Sequence, residues 1–374
     1  MTIVQKAESL FQQALEAHRL GQFSKAEAAY RASLDIAPDQ IGARHNLASL
    51  MQGQGRLDEA RKMFLALLGD HPAEQASLHA LGVVLLDQGD YARGWRYLEA
   101  RRNLPALNIR APDAPFPEWA GEPLAGKRIV LFPEQGLGDC IQLARFALVL
   151  RDQGAQVVLL TRPPLVRLFV QSLDGVTVRP AEGKVDLGEP DCWALIGSLP
   201  GLLGVKLDTI PNAPYLRAEH APPPRPPGPW RIGLTTKGNP NQANDARRSL
   251  PAAHAARLAN LKGVEIVSLH PEDTRAADFA ETAQIVAGLD LVISVDTAVA
   301  HLAGAMGKRA FVLVPGFNVD WRWLRGHGGE ITPWYPTHRL FRGDPSGAWN
   351  AALDRLISAV AQLTADGPPT AGVR

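Results

Sequence analysis

Residues Leu291 to Gly304 read LVISVDTAVAHLAG. Leu291 to Val295 are apolar and β-favouring enough to cross a buried sheet, and Ala298 to Ala305 read as the apolar first turns of a helix. The polar residues Asp296, Thr297 and His301 fall at the joint between them. In open α/β sheets that joint, where a strand's carboxyl end meets the next helix's amino end, is where ligands bind. A plainer reading remains open, in which Asp296 or Thr297 caps the helix and His301 is simply buried.

The same alternation surrounds this stretch. Upstream, WRIGLTT, PAAHAARLANL, GVEIVSLH and FAETAQIVAGL alternate strand and helix, and AVAHLAGAMG and RAFVLVPG follow it. A late helix, NAALDRLISAVAQL, precedes a Gly/Pro-rich end that reads as disordered. An earlier set carries the same pattern: KRIVLF as a strand, PEQGLGD as a glycine-rich turn, CIQLARFALVLRDQG as one helix, then AQVVLLTR, PLVRLFVQSL, GVTVRPA and CWALIG. The proline-rich run HAPPPRPPGPW separates the two sets, since it can continue neither a helix nor a central strand. Two parallel-sheet halves are therefore expected, with a cleft between them where two substrates can meet.

The first hundred residues are organised differently. Gly21, Gly55 and Gly89 lie 34 residues apart, and Pro38 and Pro72 share that spacing. GQFSKAEAAY, GRLDEARKMF and GDYARGWRYL repeat one frame, with Ala26, Ala60 and Gly94 at a small position and Tyr30, Phe64 and Leu98 at a large apolar one. This frame resembles the tetratricopeptide repeat, two antiparallel helices turned at the glycine, whose units bury their apolar stripes by stacking. The sequence thus divides into a repeat domain over 1–105 (7–40, 41–74 and 75–104), α/β halves over 106–220 and 221–366, and a disordered tail over 367–374. The repeats suit a protein or glycan acceptor; packing or homo-oligomerisation is the alternative.

Bulk composition narrows the function classes. The 374 residues are 46% hydrophobic and 21% charged with a formal net charge of +1, which gives no global pull towards nucleic acid. Two cysteines, Cys140 and Cys192, are too few for a disulfide framework or a thiolate metal site. No apolar run reaches membrane-spanning length, and MTIVQKAESLFQQ lacks the pattern of a secretory leader, so a cytoplasmic location is expected. No HExxH or HxxxH occurs, and Ser198 and Ser249 lie in no nucleophile elbow, so metal-hydrolase and serine-hydrolase chemistry fall away.

The residues that carry chemistry cluster after the strands. PEQGLGD places Glu134, Gly136, Gly138 and Asp139 behind the first strand, where the glycines allow close backbone approach. It is not GxGxxG, so a nicotinamide cofactor is not expected. Asp139 is either a helix cap or a carboxylate facing the cleft, and as a base it must reach an acceptor hydroxyl. In TTKGNPNQANDARRSL, Thr235, Thr236, Lys237, Arg247 and Arg248 suit phosphate oxygens, although a solvated basic loop has the same composition. In GFNVDWRWLRGHGGEITPWYPTHRLFR, Asp320, Trp321, Arg322 and Trp323 are expected to pin the loop against the sheet, with Trp334, Tyr335 and Arg339 near the cleft.

Taken together, EQGLGD, VDTAVAHLAGA, DWRW and WYP resemble bacterial proteins that join tetratricopeptide repeats to a heptosyltransferase-like glycosyltransferase of the GT-B fold, over nearly the whole chain. The resemblance implies an inverting enzyme that needs no metal or cofactor and takes a nucleotide sugar. It implies Asp139 as the general base, Asp296, Thr297 and His301 as the segment holding the donor's nucleotide and phosphates, and Thr235, Thr236 and Arg248 as a second phosphate and ribose region. The chain departs from the family in three places. Thr236, Lys237 and Gly238 stand where members have Trp-Ala-Gly, Trp193 stands where a histidine is common, and the stretch between SLH and FAETA is short. These departures leave a second expectation standing beside the enzyme: a non-catalytic binding or assembly protein built on a degenerate transferase fold.

Overall fold

The computed structural model describes residues 2–134, 136–225, 228–240, 245–327 and 329–365. The end expected to be a disordered tail lies outside the described residues, as do Gln135 of the glycine-rich turn and residues 241–244 of the TTKG loop. The chain divides into two compact units, Met1–Ile109 with Gly316–Gly328 and Asp344–Ala348, and Arg110–Pro315 with Gly329–Gly343 and Trp349–Arg374.

The first unit is built of helix pairs: α1 (Ile3–Arg19) and α2 (Phe23–Ile36), α3 (Ile41–Gly53) and α4 (Leu57–Asp70), α5 (Gln75–Asp87) and α6 (Tyr91–Leu98). Thr2 and Gln5 form a reciprocal capping box at the start of α1. Each pair turns at a glycine in the left-handed region, Gly21, Gly55 and Gly89 with φ of 72°, 80° and 81°, where a side chain would be strained. The repeated positions are the core: Ala26, Ala60, Tyr30 and Phe64 are fully buried, and a Cβ at Gly94 would lie 2.7 Å from Leu86.

The segment Gly316–Gly328 belongs to this unit. Phe317 stacks on Phe23 with ring centroids 4.1 Å apart, and Gly53 leaves it room. Trp321 meets Tyr91 and Trp95 edge-on, and Arg325 forms a pair with Asp87, which is fully buried. This corrects the expectation that Asp320 to Trp323 pin the loop against a sheet. Flat apolar faces and one buried carboxylate on the repeats supply better partners for Trp and Arg than a sheet edge does.

The second unit holds two parallel sheets. The first is built from β1 (Arg128–Phe132), β2 (Gln156–Thr161), β3 (Thr177–Pro180) and β4 (Cys192–Leu195) in the order β3-β2-β1-β4. Its helices are α7 (Leu137–Leu143), α8 (Arg145–Asp152), α9 (Pro163–Ser172) and the single turn α10 (Leu199–Leu202). The second sheet runs β6-β5-β7-β8-β9, from β5 (Trp230–Thr235), β6 (Val264–Ser268), β7 (Leu291–Val295), β8 (Ala310–Val314) and β9 (His338–Arg342). Around it lie α11 (Asp245–Arg248), α12 (Ala252–Ala259), α13 (Pro271–Thr274), α14 (Phe279–Ala287), α15 (Ala298–Ala305) and α16 (Asn350–Ala365). Every residue of β7 and β8 is buried, as a parallel strand covered on both faces requires.

Two local expectations need correction. The single helix expected over CIQLARFALVLRDQG breaks at Ala144 into α7 and α8. There the Ile141 carbonyl accepts from the Tyr215 hydroxyl (2.7 Å) and the Gln142 carbonyl from Arg145 Nε (2.8 Å), so these groups are drawn out of the helix ladder. The strand β9 is absent from the alternation read in the sequence. Its run HRLFR carries two arginines in five residues, Arg339 and Arg342, which suits a sheet edge but hides the apolar signal. Arg339 is accordingly an edge residue paired with Glu330 at 2.6 Å, not a residue of the cleft.

Candidate functional site

In each sheet the chain lays strands to one side and then crosses to the other. The reversal lies between β1 and β4 in the first sheet and between β5 and β7 in the second. At such points the connections diverge and leave a crevice at the carboxyl ends of the strands. The PEQGLGD turn leaves β1 at the first of these points, and Thr235, Thr236, Asp296 and Thr297 leave β5 and β7 at the second.

At the first crevice, Glu134 Oε1 accepts from the Gly197 N–H at 2.6 Å, which ties the exit of β1 to the turn after β4. Gly136 is the N-cap of α7, and Asp139 Oδ2 accepts its N–H at 2.9 Å. Asp139, half-buried, therefore caps its own helix with one carboxylate oxygen. The neighbouring Cys140 thiol is pushed up to about 12, mainly by burial and then by the Asp139 charge, so it stays protonated.

At the second crevice a compact clamp closes. Arg248 is held by Asp245 at 3.0 Å, and its Nη1 donates to the Asp296 carbonyl at 2.8 Å. Ser249 Oγ donates to Asp245 and accepts from the Gly238 N–H, both at 3.0 Å, and Leu250 N–H bonds the Thr236 carbonyl at 2.8 Å. The loop after β5 is thus fastened to the end of β7. Thr236 N–H donates to His270 Nε2 at 3.3 Å, with the Thr236 hydroxyl 3.2 Å from the same nitrogen. Burial pulls His270 below its ordinary value, opposed by Glu272 and assisted by Lys237, so it is a neutral acceptor here.

The remaining expected donor-side residues are placed differently. Thr235 is buried, and its hydroxyl has no hydrogen-bond partner among the described residues. Lys237 is exposed and paired with Glu272 at 2.6 Å, on the rim rather than in the clamp. Thr297 is the N-cap residue of α15, but its hydroxyl lies 3.1 Å from Ser294 Oγ and makes no capping bond. His301, 6% exposed, has Nδ1 3.0 Å from the Tyr335 hydroxyl.

The two crevices come together where α7 meets α15. A Cβ built on Gly138 would stand 2.8 Å from His301 Cδ2, 3.5 Å from its Nε2 and 3.6 Å from Ala298 Cα. Only glycine allows this approach, and it sets the Asp139 turn against the first turn of α15. Arg145 fastens the same junction: its Nη1 donates to the carbonyls of Pro211 (2.8 Å) and Trp334 (3.1 Å), with Tyr215, Trp334 and Tyr335 packed around its guanidinium. Trp334 and Tyr335 are thus cleft-side residues, and both are buried.

Three residues that matter here escape a reading by sequence. His270 ends the run SLH and reads as a strand terminus. Asp245 and Ser249 look like polar loop filler. Arg145 does leave a signal, a lone charge inside the apolar run LARFALVL, which a soluble helix rarely tolerates unless the charge is partnered.

The tetratricopeptide repeat family model matches residues 17–82, in agreement with the helix pairs. Residues 17–82 thus carry tetratricopeptide repeats, and the second unit holds two parallel sheets, each of which reverses its strand order once. Among curated proteins it is similar to Protein FlbA of Caulobacter vibrioides, 28% identical over 89% of this chain and 63% of that protein, so it spans less than two thirds of that relative's length. Among solved structures it is similar to a glycosyl transferase family 9 protein from Veillonella parvula (12% identity, 67% of this chain, 100% of that one, TM-score 0.43). It is also similar to the iron-containing dodecameric glycosyltransferase TibC of enterotoxigenic E. coli (12% identity, 50% and 58%, TM-score 0.35). Among the described residues no group of three or more His, Cys, Asp or Glu is placed to hold a metal, and no helix is long and apolar enough to cross a membrane.

Proposed function

We propose that the protein is a glycosyltransferase that moves a sugar from a nucleotide-sugar donor to an acceptor hydroxyl, inverting the anomeric centre without a metal. The observation that carries this reading is the meeting of the two switch-point crevices at Gly138 and His301. One crevice brings a carboxylate and the other brings hydroxyls, an arginine clamp and a helix N-terminus. This is the division of labour that in-line displacement between two substrates requires.

In this scheme Asp139 takes the proton of the acceptor hydroxyl as that oxygen attacks the anomeric carbon. The bond from that carbon to the donor's phosphate oxygen breaks with its electron pair on the leaving nucleotide diphosphate. The α15 N-terminus, Arg248 and, from the rim, Lys237 meet the charge that grows there. Thr235, Thr236, Asp296 and Thr297 border the donor pocket, and the repeats hold a protein or glycan acceptor. The competing reading, a binding or assembly protein on the same fold, draws on one observation: Asp139 already serves as a helix cap.

Calorimetric titration of the full chain with UDP-, GDP-, ADP-, dTDP- and CMP-sugars in EDTA tests the proposal. Saturable binding of one of them is expected. Silence across the panel, with and without a glycan or protein acceptor, would overturn it in favour of the assembly reading.

A further inference from the structure

The junction between the two halves contains a chain of three side chains that the scheme above does not use. Arg145 is 2% exposed and lies among carbonyls, phenols and aromatic faces. The Tyr335 ring lies 4.9 Å from the Arg145 carbon Cζ, and the Tyr335 hydroxyl lies 3.0 Å from His301 Nδ1. Tyr335 is itself 1% exposed, and a Cβ on Gly304 would collide with its ring, so the glycine fixes where the phenol sits.

Proton accounting decides what this arrangement does. A guanidinium only donates, while a phenol has one proton to give. The Tyr215 hydroxyl lies 3.3 Å from Arg145 Nη2 and places its own proton on the Ile141 carbonyl at 2.7 Å. Burial pulls Arg145 down, but the Tyr215 and Tyr335 hydroxyls outweigh it, so the group stays cationic. A fixed cation beside Tyr335 polarises its O–H and makes it a stronger donor. Of the acceptors within reach, an imidazole lone pair accepts more strongly than a second phenol oxygen does. The same cation disfavours an imidazolium at His301.

We propose that Tyr335, polarised by Arg145, is a positioning residue that donates to His301 Nδ1 and so fixes His301 as a neutral imidazole whose Nε2 carries the proton on the Gly138 side. A ring held in this way presents one N–H donor to an oxygen at the junction of α7 and α15, and the α/β packing aims it. Within the transferase reading, that oxygen belongs to the donor sugar or its leaving phosphate. The inference rests on that reading only for the identity of the oxygen. Tyr335 acts through His301 and touches no substrate.

The test is long-range proton–nitrogen NMR on the full chain labelled with ¹⁵N-histidine, with His301 assigned by its loss in His301→Asn. The wild type is expected to show the Nε2–H pattern at His301. Tyr335→Phe keeps the ring over Gly304 and removes the donor, so that pattern should give way to a mixture of tautomers. Tyr215→Phe removes the other hydroxyl at Arg145 and should leave the pattern unchanged. A wild-type Nδ1–H pattern, no change in Tyr335→Phe, or equal changes in both variants would overturn the inference. If Tyr335→Phe fails to fold, the wild-type spectrum alone still decides the tautomer. Failure of every nucleotide sugar to bind while the Nε2–H pattern holds would sink the transferase reading and leave the positioning role standing.

Discussion

The two crevices of the α/β unit share a topology and differ in chemistry. At the β1/β4 reversal the turn carries Glu134 and Asp139, both acidic, and each accepts a backbone N–H, from Gly197 and Gly136. At the β5/β7 reversal the loop after β5 carries Thr236 and Arg248, with His270 reaching Thr236 from the end of β6, and Asp245 and Ser249 fasten that loop to the end of β7. One reversal therefore presents two carboxylates, and the other presents hydroxyl, imidazole and guanidinium groups. The fold alone dictates neither set, because any residue at the carboxyl end of these strands would face its crevice. The difference puts the proposed base and the proposed phosphate contacts on separate loops, and each can be broken without the other.

The sharpest break is at Asp139. Asp139→Asn keeps an oxygen to accept the Gly136 N–H and removes the proton acceptor. Transfer is expected to fall by roughly 10²–10⁴-fold while donor affinity stays within about twofold. Single-turnover rates and donor titration measured together check this. Parallel loss of both would reduce Asp139 to its cap and erase the contrast between the crevices.

Arg248→Ala is the converse experiment. It removes the fork that joins Asp245 to the Asp296 carbonyl, and donor affinity is expected to fall about 10–100-fold. The acceptor side should be untouched, so acceptor binding to the donor-free protein is unchanged. If Arg248→Ala leaves donor affinity intact, the clamp is structural only and the β5/β7 crevice is not the phosphate site.

How far these loops could be read in advance follows from their physics. The repeats were legible because the 34-residue spacing places Gly21, Gly55 and Gly89 at the same left-handed turn, a strong local constraint. Among the described residues eight of the nine strands were legible, most plainly β7 and β8, which are buried and apolar along nearly their whole length. The edge strand His338–Arg342 was not, since its charges mask the period. The Asp296–His301 joint stood out as polar residues in an apolar run. Its partner at Gly138 could only be suspected, because a contact between α7 and α15 is a long-range fact that no local pattern encodes. The destination of Trp321 and Arg325 was hidden for the same reason. Their partners, Trp95 and Asp87, lie more than two hundred residues away in sequence.

The meeting point itself is tested by Gly138→Ala. Its new methyl would stand 2.8 Å from the His301 ring, so helix or ring must shift, at a cost of about 1–3 kcal/mol. Gly136→Ala is the control: among the described residues its methyl would meet only Asp139 Oδ2 at 3.3 Å, at an N-cap with φ of −71° that alanine adopts freely. Denaturant unfolding should therefore separate the two glycines of the turn. Equal costs would mean that α7 and α15 adapt and that the junction is not tightly set.

An effect of similar size, confined to acid pH, is expected from His338, on the Tyr335 side of the junction. Burial lowers it from 6.5 to about 4, and its Nε2 donates to the Ala300 carbonyl at 3.0 Å, so the native ring is neutral. As pH falls from 7 to 5 the unfolded chain takes up a proton at this histidine that the folded chain refuses. Stability is then lost in that direction, by about 2 kcal/mol for this group alone. Below pH 4 both states are protonated and its contribution levels off. His338→Gln keeps an N–H donor and removes the titration, so its unfolding free energy should fall less steeply between pH 7 and 5 than the wild type's. Identical slopes would mean that the ring is protonated while folded. The packing of Tyr335 against it, at 5.0 Å between ring centroids, would then have to accommodate a charge at the back of the His301 site.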